Sequence, residues 1–114
     1  MATHKASTKN RAAKLNESTN AFLESLNGGP LTFGQLLTAL READDLSLAK
    51  FSERLGVSRQ HLHQIETGQK RVSPERALRF AGILGFNELY FVQLALQDLV
   101  DETGLTAKVE VKVA

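Results

Sequence analysis

Apolar residues recur at helical spacing along most of the chain, and caps and breakers divide them into short helices. Thr32 followed three residues later by Gln35 forms a capping box, and the pattern behind it predicts a helix over 32–43. Four further helices are predicted over 47–55, 58–67, 73–85 and 87–102, each counted from its capping residue to the residue that ends it. The pattern therefore predicts an all-α domain of five helices.

The two ends of the chain follow other patterns. Residues 1–15 carry four bases, no acid and almost no apolar side chain, which predicts a flexible basic arm. A short helix is predicted over 15–26, and Asn27-Gly28-Gly29-Pro30 ends it. We therefore divide the chain into an arm with a short helix (1–30), a helical domain (31–104) and a C-terminal segment (105–114).

The C-terminal segment alternates strictly between apolar and polar residues from Leu105 to Val113, which predicts a β-strand. The predicted helix over 87–102 also has more apolar positions than one buried stripe requires. Since the chain offers no second strand, we expect this strand to pair with its copy across a dimer. The predicted dimerisation residues are Leu96, Leu99, Val109, Val111 and Val113.

Composition narrows the class of protein. A chain of 114 residues is short for more than one domain, and the absence of cysteine excludes disulfides and thiolate chemistry. The longest apolar run, Leu89 to Val92, is far too short to span a membrane, and there is no secretory signal. We expect a cytoplasmic bacterial protein without a membrane partner, associated with the nucleoid when bound to DNA.

The net charge of +1 conceals an uneven distribution. Basic residues dominate 1–15 and 47–72, whereas the acids between 80 and 107 have no base among them. A basic side suits a polyanion such as DNA, although clusters of this size can also be no more than solvated surface.

The segment 47–68 carries the clearest chemistry, in the pattern L-G-V-S-x-x-x-L-x-x-I-E-x-G from Leu55 to Gly68. Its apolar residues turn inward around Gly56, and its second helix presents a polar face that includes Arg and Gln. Arg can bond bidentately to guanine and Gln to adenine in the major groove. The segment therefore predicts a helix-turn-helix whose second helix contacts DNA bases.

This pattern, with the five-helix layout from Thr32 to about Leu99, resembles the Cro/cI (XRE) family of DNA-binding domains. The resemblance implies that Arg59, Gln60 and Gln64 contact bases, with His61 as a further candidate. It implies phosphate contacts by the residues Ser47, Ser58, Thr67, Lys70 and Arg71. It also implies a structural ion pair between Arg41 and Glu66.

Two residues depart from the family pattern. Leu48 stands where many members have a phosphate-binding glutamine, which puts that contact in doubt. Ser52 replaces a small apolar residue, and we expect its hydroxyl to bond a carbonyl one turn back.

Other residues have ordinary interpretations. His61 and His63, two residues apart on a helix, face different directions, so no metal site is predicted. Asp44-Asp45 is typical of a solvated helix end, and no phosphate loop or nucleophile motif occurs. We therefore expect neither an enzyme nor a cofactor.

Two functions are compatible with these observations. The first is a homodimeric repressor of transcription that binds a two-fold symmetric operator on double-stranded DNA. The second is an antitoxin of a type II toxin-antitoxin system, which would bind a toxin protein and repress its own operon. The lack of room for a ligand-sensing domain favours the antitoxin, and a stand-alone or phage-type repressor is the alternative.

Overall fold

A computed structural model describes residues 31–114, and the predicted basic arm and short N-terminal helix lie outside this range. The described residues form five helices, as the sequence predicts. They are α1 (Phe33–Ala43), α2 (Leu48–Leu55), α3 (Arg59–Glu66), α4 (Pro74–Leu84) and α5 (Glu88–Glu102). Each predicted start coincides with the capping residue that precedes the helix.

A side-chain oxygen satisfies one backbone N–H at the start of every helix. Thr32 accepts from the N–H of Gln35, and the Gln35 side chain accepts in return from the N–H of Thr32, which completes the predicted capping box. The other four helices are capped by a side-chain oxygen that accepts from the N–H three residues on, and the capping residues are Ser47, Ser58, Ser73 and Asn87. Helices as short as α2 and α3 are marginal alone, so these caps and tertiary packing hold them.

One hydrophobic core joins the five helices. Phe33 of α1 lies edge-on against Phe91 of α5, with ring centroids 5.6 Å apart, and is 6.4 Å from Phe80 of α4. These three rings are almost completely buried. The core therefore ties the first helix to the last two, and α2 and α3 pack onto it through Phe51, Leu55, Leu62 and Ile65.

Helices α1 and α3 approach each other so closely that only glycine fits at position 34. A Cβ atom there would overlap the carbonyl oxygen of Ile65 and lie 2.8 Å from that of Glu66. Both oxygens belong to the end of α3, which cannot move without displacing the helix. Gly34 thus sets the distance between α1 and α3.

Asp98 of α5 fixes the start of α1. Its Oδ2 accepts a hydrogen bond of 3.1 Å from the backbone N–H of Phe33, one of the N–H groups that a helix start leaves unpaired. Burial raises the pKa of Asp98 above its ordinary value, although the Phe33 N–H and the nearby Arg71 act in the opposite direction. This bond joins the two ends of the described domain.

The C-terminal segment differs from the sequence prediction, because residues 31–114 contain no β-strand. Residues 105–114 run alongside α5, and their backbone bonds to glutamine side chains of that helix. A β-strand requires a neighbouring strand, and the described residues of the single chain provide none. Leu105 and Val113 are therefore left exposed.

We predict that Gly34→Ala lowers the free energy of unfolding by about 2 to 3 kcal/mol or more, because the new methyl group collides with rigid backbone. Urea unfolding measures this change. Gly82→Ala is the matched control, since Gly82 lies within α4 and a Cβ there meets nothing within 4 Å. The control should gain about 0.5 to 1 kcal/mol from helix propensity. Equal effects of the two substitutions would contradict the close approach of α1 and α3.

We predict that Asp98→Asn preserves stability at neutral pH, because the amide oxygen still accepts from the Phe33 N–H. Asp98→Ala should lose about 1 to 3 kcal/mol, since it leaves that N–H unpaired. The raised pKa means that the unfolded chain ionises first, so the contribution of Asp98 to stability falls as the pH rises through the folded pKa. Urea unfolding between pH 3 and 7 should show this fall in the parent chain and not in Asp98→Asn. An identical pH dependence in both would contradict it.

Candidate nucleic-acid interface

A sharp turn places α3 across α2. Gly56 ends α2 in the left-handed conformation with φ of 73°, which an L side chain rarely adopts, and Ser58 caps α3 only two residues later. The inward sides of the two helices bury Leu55, Leu62 and Ile65. Their packing leaves the opposite side of α3 facing solvent.

The solvent-facing side of α3 carries the predicted base-contacting residues. Arg59 and Gln60 occupy its first turn and are exposed, whereas His61 and Gln64 are partly buried. Gln60 and Gln64 lie one helical turn apart and so share a face. The structure thus brings exposed bidentate donors to the N-terminal half of α3, the part of a recognition helix that meets base edges.

Arg76 of α4 contacts His61, which sequence reasoning did not anticipate. Its Nη1 lies 3.2 Å from Nε2 of the imidazole. Burial, and then the positive charges of Arg76 and Lys70, lower the pKa of His61 below its ordinary value. Since a guanidinium can only donate, the imidazole nitrogen that it faces acts as acceptor, and Arg76 adds a guanidinium beside α3.

Two of the predicted phosphate contacts are serine hydroxyls at helix starts. The Oγ of Ser47 accepts from the N–H of Lys50, and that of Ser58 accepts from the N–H of His61. A hydroxyl that accepts at a cap still has a hydrogen to donate. Both serines can therefore donate to a phosphate oxygen at the positive end of a helix dipole.

The remaining residues predicted to contact phosphates differ in whether their side chains are already bonded within the domain. Thr67 donates its hydroxyl hydrogen to the carbonyl oxygen of His63, at 2.9 Å. Arg71 donates to the Gly68 carbonyl at 2.8 Å, and its Nε lies 3.4 Å from a carboxylate oxygen of Glu102. Lys70 is exposed, and no such partner holds it among residues 31–114. Lys70 is therefore better placed to meet a phosphate than Thr67 or Arg71.

Arg41 and Glu66 form a bidentate ion pair between α1 and the end of α3. Nε and Nη2 of Arg41 lie 2.9 and 3.1 Å from the two carboxylate oxygens, and Nη1 donates to the Leu46 carbonyl. The bond to Glu66 raises the pKa of Arg41 above its ordinary value. This pair lies beside the contact between Gly34 and the end of α3, and it fixes the orientation of α3.

The two departures from the family pattern have simple structural outcomes. Ser52 is buried and donates a 2.8 Å hydrogen bond to the Ala49 carbonyl, as the sequence predicts. Leu48 packs against the core. No cluster of three or more metal-ligating side chains occurs within residues 31–114.

The predicted dimerisation residues all lie on α5 and the segment after it. Leu96, Val109 and Val111 are partly buried in the single chain, whereas Leu99 and Val113 are exposed. Gln93 and Gln97, which the alternating pattern did not reveal, bond the backbone of this segment.

Comparison with known proteins agrees with this geometry. A family model described as a helix-turn-helix domain matches residues 32–89, just over half of the chain. No curated protein and no solved structure matches the chain at a significant level. The chain therefore belongs to the helix-turn-helix domain family and is a DNA-binding protein of the XRE-like class. Within the described residues, no helix has the length and apolar character needed to cross a membrane.

We predict that Arg76→Met raises the pKa of His61, because it removes a neighbouring positive charge. The pKa should stay below that of an exposed histidine, since burial contributes most to the shift. Arg79→Met is the matched control on α4, and we expect it to leave His61 unchanged. An NMR titration of the imidazole checks the prediction, and an unchanged pKa in Arg76→Met would contradict it.

Proposed function

We propose that this protein is a sequence-specific repressor of transcription that binds a two-fold symmetric operator as a homodimer. The exposed start of α3, which presents Arg59 and Gln60 together, carries this proposal. Both side chains can make bidentate hydrogen bonds to base edges in the major groove. This surface binds DNA, and transcription is repressed when the bound protein blocks the promoter.

In this proposal α3 enters the major groove and divides its contacts between bases and phosphates. Arg59, Gln60 and Gln64 contact base edges. His61 lies beside Arg76, and its imidazole in the neutral form offers both a donor and an acceptor. Ser47, Ser58 and Lys70 contact phosphates and fix the position of the helix. Arg71 and Thr67 support the loop that presents Lys70, through their bonds to Gly68 and His63.

The homodimer follows from the size of one module. A single helix-turn-helix contacts too few base pairs to be very selective, and two copies contact two half-sites roughly 34 Å apart. The exposed apolar side chains of α5 and the C-terminal segment, among them Leu99, Leu105 and Val113, favour an interface at that end of the domain.

An antitoxin is the second candidate function, because it keeps DNA binding and adds a toxin as protein partner. The remaining exposed apolar residues, Leu78, Ile83 and Leu89 on α4 and α5, favour a further protein partner. The test is to express any small reading frame next to this gene alone and together with this chain. Growth arrest that this chain relieves supports the antitoxin, and a harmless neighbour leaves the stand-alone or phage-type repressor.

We predict that Arg59→Ala weakens binding by about 1 to 3 kcal/mol at one base pair of each half-site and relaxes the preference there. The operator is obtained by selecting random duplexes on the full chain. Lys70→Ala is the matched control and should weaken all sequences alike, with a smaller salt dependence. Titrations on the operator and on its single-base variants compare the two substitutions. A uniform loss in Arg59→Ala would overturn its role in base contact.

A further inference from the structure

Two glutamines of α5 occupy one edge of the C-terminal segment. The Gln97 side chain accepts from the Val109 N–H and donates to the Ala107 carbonyl, both at 2.7 Å. One turn earlier, Gln93 accepts from the Val111 N–H at 3.3 Å. The segment therefore runs antiparallel to α5, and the amide of Gln97 bonds it as one residue of a neighbouring strand would.

The spacing of these bonds shows that the segment is extended. Residues four apart on a helix are about 6 Å apart along its axis. Residues two apart on a strand are separated by about 6.7 Å. The bonds from Gln93 and Gln97 to alternate residues therefore match an extended backbone between Ala107 and Val111.

Within the part of the chain that the structure describes, the other edge of the segment has no hydrogen-bond partner. In an extended chain the N–H and C=O of one residue point to the same side, and the side alternates along the chain. Since residues 107, 109 and 111 face the glutamines, residues 106, 108, 110 and 112 direct their backbone groups away from α5. Within residues 31–114 these groups make no hydrogen bond.

We propose that this open edge pairs with the same edge of a second copy, antiparallel, about a two-fold axis at Val109. This inference rests on the proposed homodimer and specifies its interface. The pairing places residues 106, 108, 110 and 112 opposite 112, 110, 108 and 106 of the second copy. It forms about eight hydrogen bonds between the chains. Gln93 and Gln97 then close the outer edges of a two-stranded ribbon, which would otherwise be marginal alone.

Charge favours this register over an axis at Glu110. With the axis at Val109, Lys108 lies opposite Glu110 of the second copy, and the symmetric pair repeats the contact. With the axis at Glu110, two glutamates oppose each other and each Lys108 meets a Lys112, which is unfavourable. An axis at Val111 also opposes Glu110 and Lys112, but it places Val113 opposite Val109 and so separates it from Leu105. Only the axis at Val109 pairs the whole alternating stretch from 105 to 113.

The apolar face supports the same register. Leu105 and Val113 are 64% and 79% exposed, more than the other large apolar side chains that the structure describes. An axis at Val109 places Val113 of one copy opposite Leu105 of the other, so each covers the other.

Disulfide formation tests the register in the full chain, which has no cysteine of its own. Residue 109 lies opposite residue 109 of the second copy, and the two form a non-hydrogen-bonded pair. Their Cα atoms are about 4.5 Å apart, a distance that a disulfide can span. Val109→Cys should therefore form a covalent dimer under mild oxidation at micromolar concentration. Val111→Cys is the control, because residue 111 of the second copy would lie about 13 Å away along the strand. Cross-linking of Val111→Cys in place of Val109→Cys would overturn the register.

A charge exchange tests the same contact without a covalent bond. Lys108→Glu should raise the dimer dissociation constant about tenfold or more, since it opposes like charges twice. Glu110→Lys should do the same, and the double exchange should restore the dimer. Lys112→Glu, which faces Thr106, should have a smaller effect. A monomeric parent chain in sedimentation would overturn the second copy as occupant and leave the edge for a strand of another protein.

These outcomes are separable from the proposed function. Cross-linking and sedimentation need no DNA, so they test the interface even if the operator proposal fails. If Val109→Cys stays uncross-linked while the chain still binds its operator as a dimer, the interface is wrong and the proposed function stands. If the covalent dimer forms but no duplex is preferred over another, the interface stands and the proposed function fails.

Discussion

The contact between α1 and the end of α3 is the constraint on which the DNA-binding surface depends. Gly34 lets the α1 backbone lie directly against the Ile65 and Glu66 carbonyls, and the bidentate Arg41–Glu66 pair prevents α3 from rotating there. Helix α3 has only eight residues and is too short to be stable alone. Its direction is therefore set by α1, which is itself tied to α4 and α5 through Phe33 and Asp98. A rigid three-helix base thus presents a short helix to solvent.

Because one side of α3 packs against the domain, its charged and polar residues lie on the side that faces solvent. The buried side of α3 has almost no freedom, so chemical specificity resides in the residues at its exposed start. Ser47 and Ser58 serve first as caps, and each keeps a hydroxyl hydrogen that it can donate to a phosphate in the proposed complex. Arg71 and Thr67 are bonded within the domain, whereas the exposed Lys70 of the loop after α3 has no ion-pair partner among residues 31–114. Folding and DNA binding therefore use overlapping sets of residues.

The sequence predicted what depends on local interactions. The five helices begin at Thr32, Ser47, Ser58, Ser73 and Asn87 because a cap satisfies an N–H three residues away, a rule that the chain order alone reveals. Contacts between distant residues were not accessible in this way. The Arg76–His61 contact and the Asp98–Phe33 bond join different helices. The C-terminal strand was predicted from alternation, but glutamines on α5 bond its edge, and alternation carries no information about them.

In the proposed complex, two α3 helices enter successive major grooves on one side of an operator. Methylation interference on the selected duplex tests it most directly, because dimethyl sulfate modifies guanine N7 in the major groove and adenine N3 in the minor groove. We expect interference by guanine N7 methylation at two symmetric clusters about 10 base pairs apart, where Arg59 or a neighbouring donor meets a base. Interference only at adenine N3, or at a single cluster without symmetry, would contradict it.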